Sequence, residues 1–119
     1  VNAEKLDEIM TEQFEICRMV MGRKAGEYTD GNEDKLAAIK AAAALQGISP
    51  QAAAMGMMSK HIVSIADMCT SGEEYTDARW NEKITDAMNY LFFIRAIVQE
   101  QSDLKDAAMV RQANEAMLP

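Results

Sequence analysis

Little in this sequence favours a sheet, a disulfide framework or a basic surface. There are two prolines, and aromatic residues make up 6% of the chain. Valine and isoleucine do not alternate with polar residues, so the period-two signature of a half-buried strand is missing. The two cysteines, Cys17 and Cys69, each sit in an apolar helical pattern, and neither belongs to a Cys-x-x-Cys pair. They are expected as buried, reduced thiols. His61 is the single histidine, which leaves zinc chemistry short of ligands and places no nucleophile elbow beside a base. A Gly-rich phosphate loop is also missing. No hydrophobic run reaches the length of a membrane span, and the first residues lack a basic segment followed by an apolar one. Neither a membrane association nor a leader is expected, and a cytoplasmic location follows. Acidic residues outnumber basic ones 19 to 12, for a net charge of −7. That balance argues against general nucleic-acid binding, which needs a basic footprint. A phosphate ligand stays compatible, because a metal ion reverses the local field.

What the chain does have is helical patterning. Its 119 residues are 49% hydrophobic, enough for the core of one domain. Leu6, Ile9, Met10, Phe14, Cys17, Val20 and Met21 define a first helix over about 3–26, with Asn2 as N-cap. Thr29 to Asn32 reads as a turn. A second helix spans about 33–46, carries Leu36, Ile39 and Ala43 on one face, and stops at Gly47. Ser49-Pro50 starts a third, over about 50–70. Thr76 caps a fourth over about 77–100, and Ser102 caps a weaker last helix over 103–117. The fold class expected is all-α, an antiparallel bundle of four to five helices in a single domain. The ten methionines suit a packed core and also an adaptable surface.

The fourth helix is the most informative. Trp80, Ile84, Ala87, Leu91, Ile94 and Val98 recur at spacings of four and three, which is one helical face. Glu82, Asp86, Asn89 and Phe93 repeat the rhythm about 150° away. A helix apolar on both sides is buried on both sides. Such burial exceeds what one side of a four-helix monomer covers, so a homo-oligomer is expected. It also predicts enclosure of Glu82 and Asp86, and enclosed carboxylates need a cation or hydrogen-bond donors. One turn apart, their oxygens can converge on Mg²⁺, which favours oxygen ligands and keeps several waters. The alternative is a pair of solvated acids.

Three further clusters carry chemistry-bearing residues. Lys24, Glu27 and Tyr28 continue the apolar stripe of the first helix. They suit a phosphate contact, a further metal ligand and a base-stacking ring, or simply a helix end emerging into water. Glu8, Glu12 and Glu15 form an acidic stripe that reads as a solvated face. Lys60, His61 and Asp67 share the third helix, with His61 among methionines as a packed residue and Lys60 available to phosphate.

Taken in order, Lys24-x-x-Glu27-Tyr28, Glu33-Asp34-Lys35-Leu36, Lys40-Ala41-Ala42-Ala43-Ala44-Leu45, Lys60-His61-x-x-Ser64-Ile65 and Glu82-Lys83-x-x-Asp86-x-x-Asn89-Tyr90 form a set. Over about residues 10–100 it resembles small phage and prophage proteins similar to the MazG-like all-α NTP pyrophosphatases. The resemblance implies an oligomeric helical bundle, Mg²⁺ held by acids on two helices, and hydrolysis of an NTP or dNTP to NMP and pyrophosphate. It would place a phage-encoded protein in the host cytoplasm. Asp86 matches the family's aspartate, whereas Glu82 falls one residue early and Lys83 occupies the usual glutamate position. The expected site is thus Glu82 and Asp86 as catalytic acids, Glu27 with them as metal ligand, and Lys24, Tyr28, Lys60 and Asn89 on the nucleotide. Loss of an acid also allows a nucleotide binder that does not hydrolyse. A helical interaction or inhibitor module is the third expectation.

Overall fold

Ser49 and Thr76 act where the sequence puts them. In the computed structural model, Ser49 Oγ accepts a hydrogen bond from Ala52 N–H at 3.1 Å, and Thr76 Oγ1 accepts one from Arg79 N–H at 3.2 Å. Each satisfies one of the N–H groups that the first turn of a helix leaves unpaired. Asn2 does the same for Lys5 N–H at 2.8 Å. The structure describes residues 1–29 and 34–119; for 23–29 it describes the backbone alone.

The described residues form four helices and no strand: α1 (Ala3–Thr29), α2 (Ala37–Gln46), α3 (Pro50–Thr70) and α4 (Asp77–Ala116). The all-α fold read from the sequence therefore holds, and the helices pack against one another. Gly47 ends α2 at φ 64° and donates back to Ala43 and Ala44 carbonyls, a left-handed close that a residue with a Cβ resists.

Three boundaries differ from expectation. α2 begins at Ala37 rather than at about 33, after Asp34 Oδ1 accepts from Leu36 N–H at 2.9 Å. α1 runs three residues further, to Thr29. The separate helix over 103–117 does not exist, because α4 passes without a break through Ser102 to Ala116 and is 40 residues long. Gln99 Nε2 donates to Asp103 Oδ1 across that point at 2.9 Å. A serine in an exposed helix interior costs only about 0.5 kcal/mol relative to alanine.

α4 is the common partner. α3 runs antiparallel to it: Gln51 and Gln101 exchange side-chain hydrogen bonds near one end of α3, while His61 lies by Asp86 and Tyr90 further along. α2 closes the first end, where Leu36, Ile39 and Ala43 pack with Ala53, Ala54 and Ile97. Lys40 adds a bridge from α2, 2.7 Å from both Asp34 and Glu100. α1 lies on a different side of α4, where Gln13 Nε2 donates to Thr85 Oγ1 at 2.8 Å. Cys17 is buried as expected, but Cys69 is exposed, since no element covers its side of α3.

The chain is elongated. Its radius of gyration is 18.8 Å, against about 13.5 Å for a compact chain of this length. Beyond Gln101, the point level with the start of α3, α4 continues with exposed side chains apart from Ala108. No helix among the described residues is long and apolar enough to cross a membrane.

Candidate functional site

Asp86 lies where α1, α3 and α4 meet. Its side chain is 11% exposed, and Oδ2 stands 3.7 Å from His61 Nδ1 of α3. Tyr90, one turn further along α4, stacks on His61 with ring centroids 5.6 Å apart. The rings and the carboxylate thus occupy one enclosed seam. The sequence placed His61 as a packed residue, and it is buried; its proximity to Asp86 depends on the antiparallel register of α3 and α4.

Glu82 departs from expectation. It is exposed. Glu82 and Asp86 nevertheless line one depression of about 390 Å³, together with Ile16 and Val20 of α1 and Asn81 and Thr85 of α4. Carboxylate, hydroxyl and amide oxygens are the hard donors that Mg²⁺ takes. Among the described residues no group of three or more His, Cys, Asp or Glu is placed to hold a metal. Two carboxylates suffice for Mg²⁺ only when water and substrate phosphates complete its shell, so the residues present fit a substrate-carried ion.

Asn89 is 6% exposed, and its Oδ1 is buried without a hydrogen-bond partner among the described residues. A buried, unpaired carbonyl oxygen costs about 1–3 kcal/mol, so Asn89 is poised for a donor. It lines a cleft of about 520 Å³ between α1 and α4, with Phe14, Cys17, Arg18, Met21 and Phe92. Phe14 and Phe92 flank the cleft with ring centroids 6.2 Å apart. Asp86 and Asn89 are one turn apart on α4, which makes the polar depression and the apolar cleft neighbours.

Lys60 is exposed on α3, on the side it shares with Ser64 and Asp67. Glu8, Glu12 and Glu15 are exposed, in keeping with a solvated stripe. The side chains of Lys24, Glu27 and Tyr28 lie outside the described residues. Sequence reasoning missed Phe14, Arg18 and Phe92 as cleft walls and the Gln13–Thr85 hydrogen bond as a tie between α1 and α4. Phe14 was visible as part of an apolar stripe, but a stripe does not reveal that its residues stay half exposed beside a gap.

No family model, curated protein or solved structure matches the chain significantly.

Proposed function

We propose that this protein binds a nucleoside triphosphate or its deoxy form between α1 and α4 and is a Mg²⁺-dependent nucleotide pyrophosphohydrolase of MazG-like character. The observation that carries the reading is Asn89, a buried amide with an unpaired oxygen at the wall of an apolar cleft, one turn from an enclosed carboxylate. Phe14 and Phe92 offer faces for a planar base. Asn89 Oδ1 accepts from an exocyclic amine or ring N–H of that base. Arg18 at the rim suits phosphate oxygens, with Lys60 a further phosphate contact. Glu82 and Asp86 would hold Mg²⁺ presented with the phosphates. Bound there, the ion would neutralise phosphate charge and acidify a water. His61 positions Asp86. Lys24, Glu27 and Tyr28 are proposed additions from the end of α1.

The test is pyrophosphate release from a panel of NTPs and dNTPs with Mg²⁺, alongside calorimetric titration with and without the metal. Release from at least one nucleotide supports the reading. Binding that ignores Mg²⁺ and yields no product supports instead a sequestering protein, which Lys83 at the usual glutamate position favours. Folded protein that binds none of them rejects both.

A further inference from the structure

We infer that the groove between the N-terminal half of α1 and the first turns of α4 docks a basic amphipathic helix of another protein, with an arginine of that helix seated between Glu12 and Asp77. Neither acid belongs to the nucleotide reading.

α1 and α4 run parallel: Ile9 shares a pocket with Trp80, Gln13 bonds Thr85, and Met21 shares a cleft with Phe92. The pocket at the start of this pair measures about 260 Å³ and is lined by Ile9, Glu12 and Ile16 of α1 and by Asp77 and Trp80 of α4. Tyr75 meets Trp80 in a T-shaped contact with ring centroids 5.9 Å apart, which holds the indole in place. Leu6 lies three residues before Ile9 on the same side of α1. Leu6 is 50% exposed and Ile9 43%. From Leu6 to Ile16 the face runs about 15 Å, close to three helical turns. An apolar face of that length, set between two helices, is the seat of a third.

Charge selects the occupant. Residues 1–22 and 71–82, which build this end, hold nine of the 19 acidic residues and three of the 12 basic ones. Six of the seven net negative charges of the chain therefore sit here. Glu12 and Asp77 are both exposed, and among the described residues neither has an ion-pair partner. Such a field repels nucleic acid, anionic lipid and a second copy of the same face. A small cation answers the carboxylates and leaves Leu6 and Ile9 in water. A helix with leucines along one edge and arginines beside them answers both. Arginine suits the pocket better than lysine, because its planar head stacks on an indole while its N–H groups reach carboxylates.

Trp80 is the only tryptophan, so its fluorescence reads this pocket directly. The probe is a tryptophan-free peptide of about 14 residues, leucine and arginine, with the leucines at helical spacing. A saturable change in Trp80 emission is expected at micromolar peptide, weakening as salt is raised. Glu12→Lys should raise the dissociation constant about 10-fold, and Leu6→Ser several-fold. Both positions are exposed, so circular dichroism is expected to keep the helical signal; should Glu12→Lys lose it, Glu12→Gln carries the test with a rise of about 3-fold. Glu115→Lys makes the same charge change at the far end of α4 and should leave the affinity as it was. Absence of a saturable change overturns the inference. So does equal affinity for spermine or for a peptide of the same composition with its leucines dispersed, since either shows attraction of positive charge alone. An equal loss in Glu115→Lys and Glu12→Lys overturns it as well.

Discussion

His61 Nδ1 stands 3.7 Å from Asp86 Oδ2 across the α3–α4 contact, with both side chains only 11% exposed. A carboxylate at such a depth has lost most of its hydration and depends on the dipoles and charges around it. This single approach joins α3 to the acid that the proposed chemistry requires.

Replacing Asp86 with Asn keeps the shape and removes the charge. Mg²⁺-dependent pyrophosphate release is expected to fall at least about 100-fold, since one of the two proposed metal-holding acids is gone. Thermal stability should change by no more than about 1 kcal/mol, because the amide retains hydrogen-bonding capacity. A calorimetric Mg²⁺ titration in the presence of nucleotide, paired with a melting curve, separates the two effects.

Asn89→Leu sets ligand binding against stability. Removing a buried oxygen that has no partner among the described residues should leave the free protein as stable or slightly more so, within about 1 kcal/mol. Nucleotide affinity should drop about 10-fold or more. Retained affinity in a well-folded variant would remove Asn89 from the site.

Gln13→Ala and Thr85→Val interrogate the tie between α1 and α4. Thr85 is 2% exposed and its hydroxyl accepts from Gln13 at 2.8 Å. Each single change should cost about 1–2 kcal/mol in chemical denaturation, since it leaves one partner poorly satisfied. The double variant should cost less than the two together, which a double-mutant cycle measures directly.

Lys40 gives a pH signature. The hydrogen bond from Lys40, then that from Leu36 N–H, holds the Asp34 carboxyl below the usual carboxylate range. Hydrogen bonding to Asp34, then to Glu100, raises the Lys40 ammonium above its ordinary value. A lowered acid stabilises the fold above its unfolded-state value of about 4 and stops doing so as pH falls through its folded value. A raised amine stabilises below about 10.4 and stops as pH rises through its folded value. Lys40→Met should therefore weaken the fold between roughly pH 4 and 10, by up to about 1 kcal/mol given the partly exposed groups. The difference from wild type should shrink at pH 2–3, where denaturant midpoints would check it.

The positions at which α1, α3 and α4 begin were determined by local chemistry, and here the sequence alone was enough; α2, which has no side-chain cap, begins at Ala37 rather than at about 33. Asn2, Ser49 and Thr76 each accept from a first-turn N–H, and Gly47 closes α2, whatever the rest of the chain does. The core residues Leu36, Ile39 and Ala43 followed from period alone. Tertiary structure decided the remainder. α4 carries two apolar stripes, and periodicity does not rank them; α1 and α3 took the stripes with Asp86 and Asn89 and left Leu91 and Val98 open. Glu82 and Asp86, alike in spacing, parted in burial: Asp86 lies against His61 of α3, whereas Glu82 is exposed. His61 came to Asp86 through the register of two helices, a long-range quantity no local window contains. Local propensity acts over a few residues, whereas burial is set by the neighbour that packing brings up, and that neighbour is chosen by the whole chain.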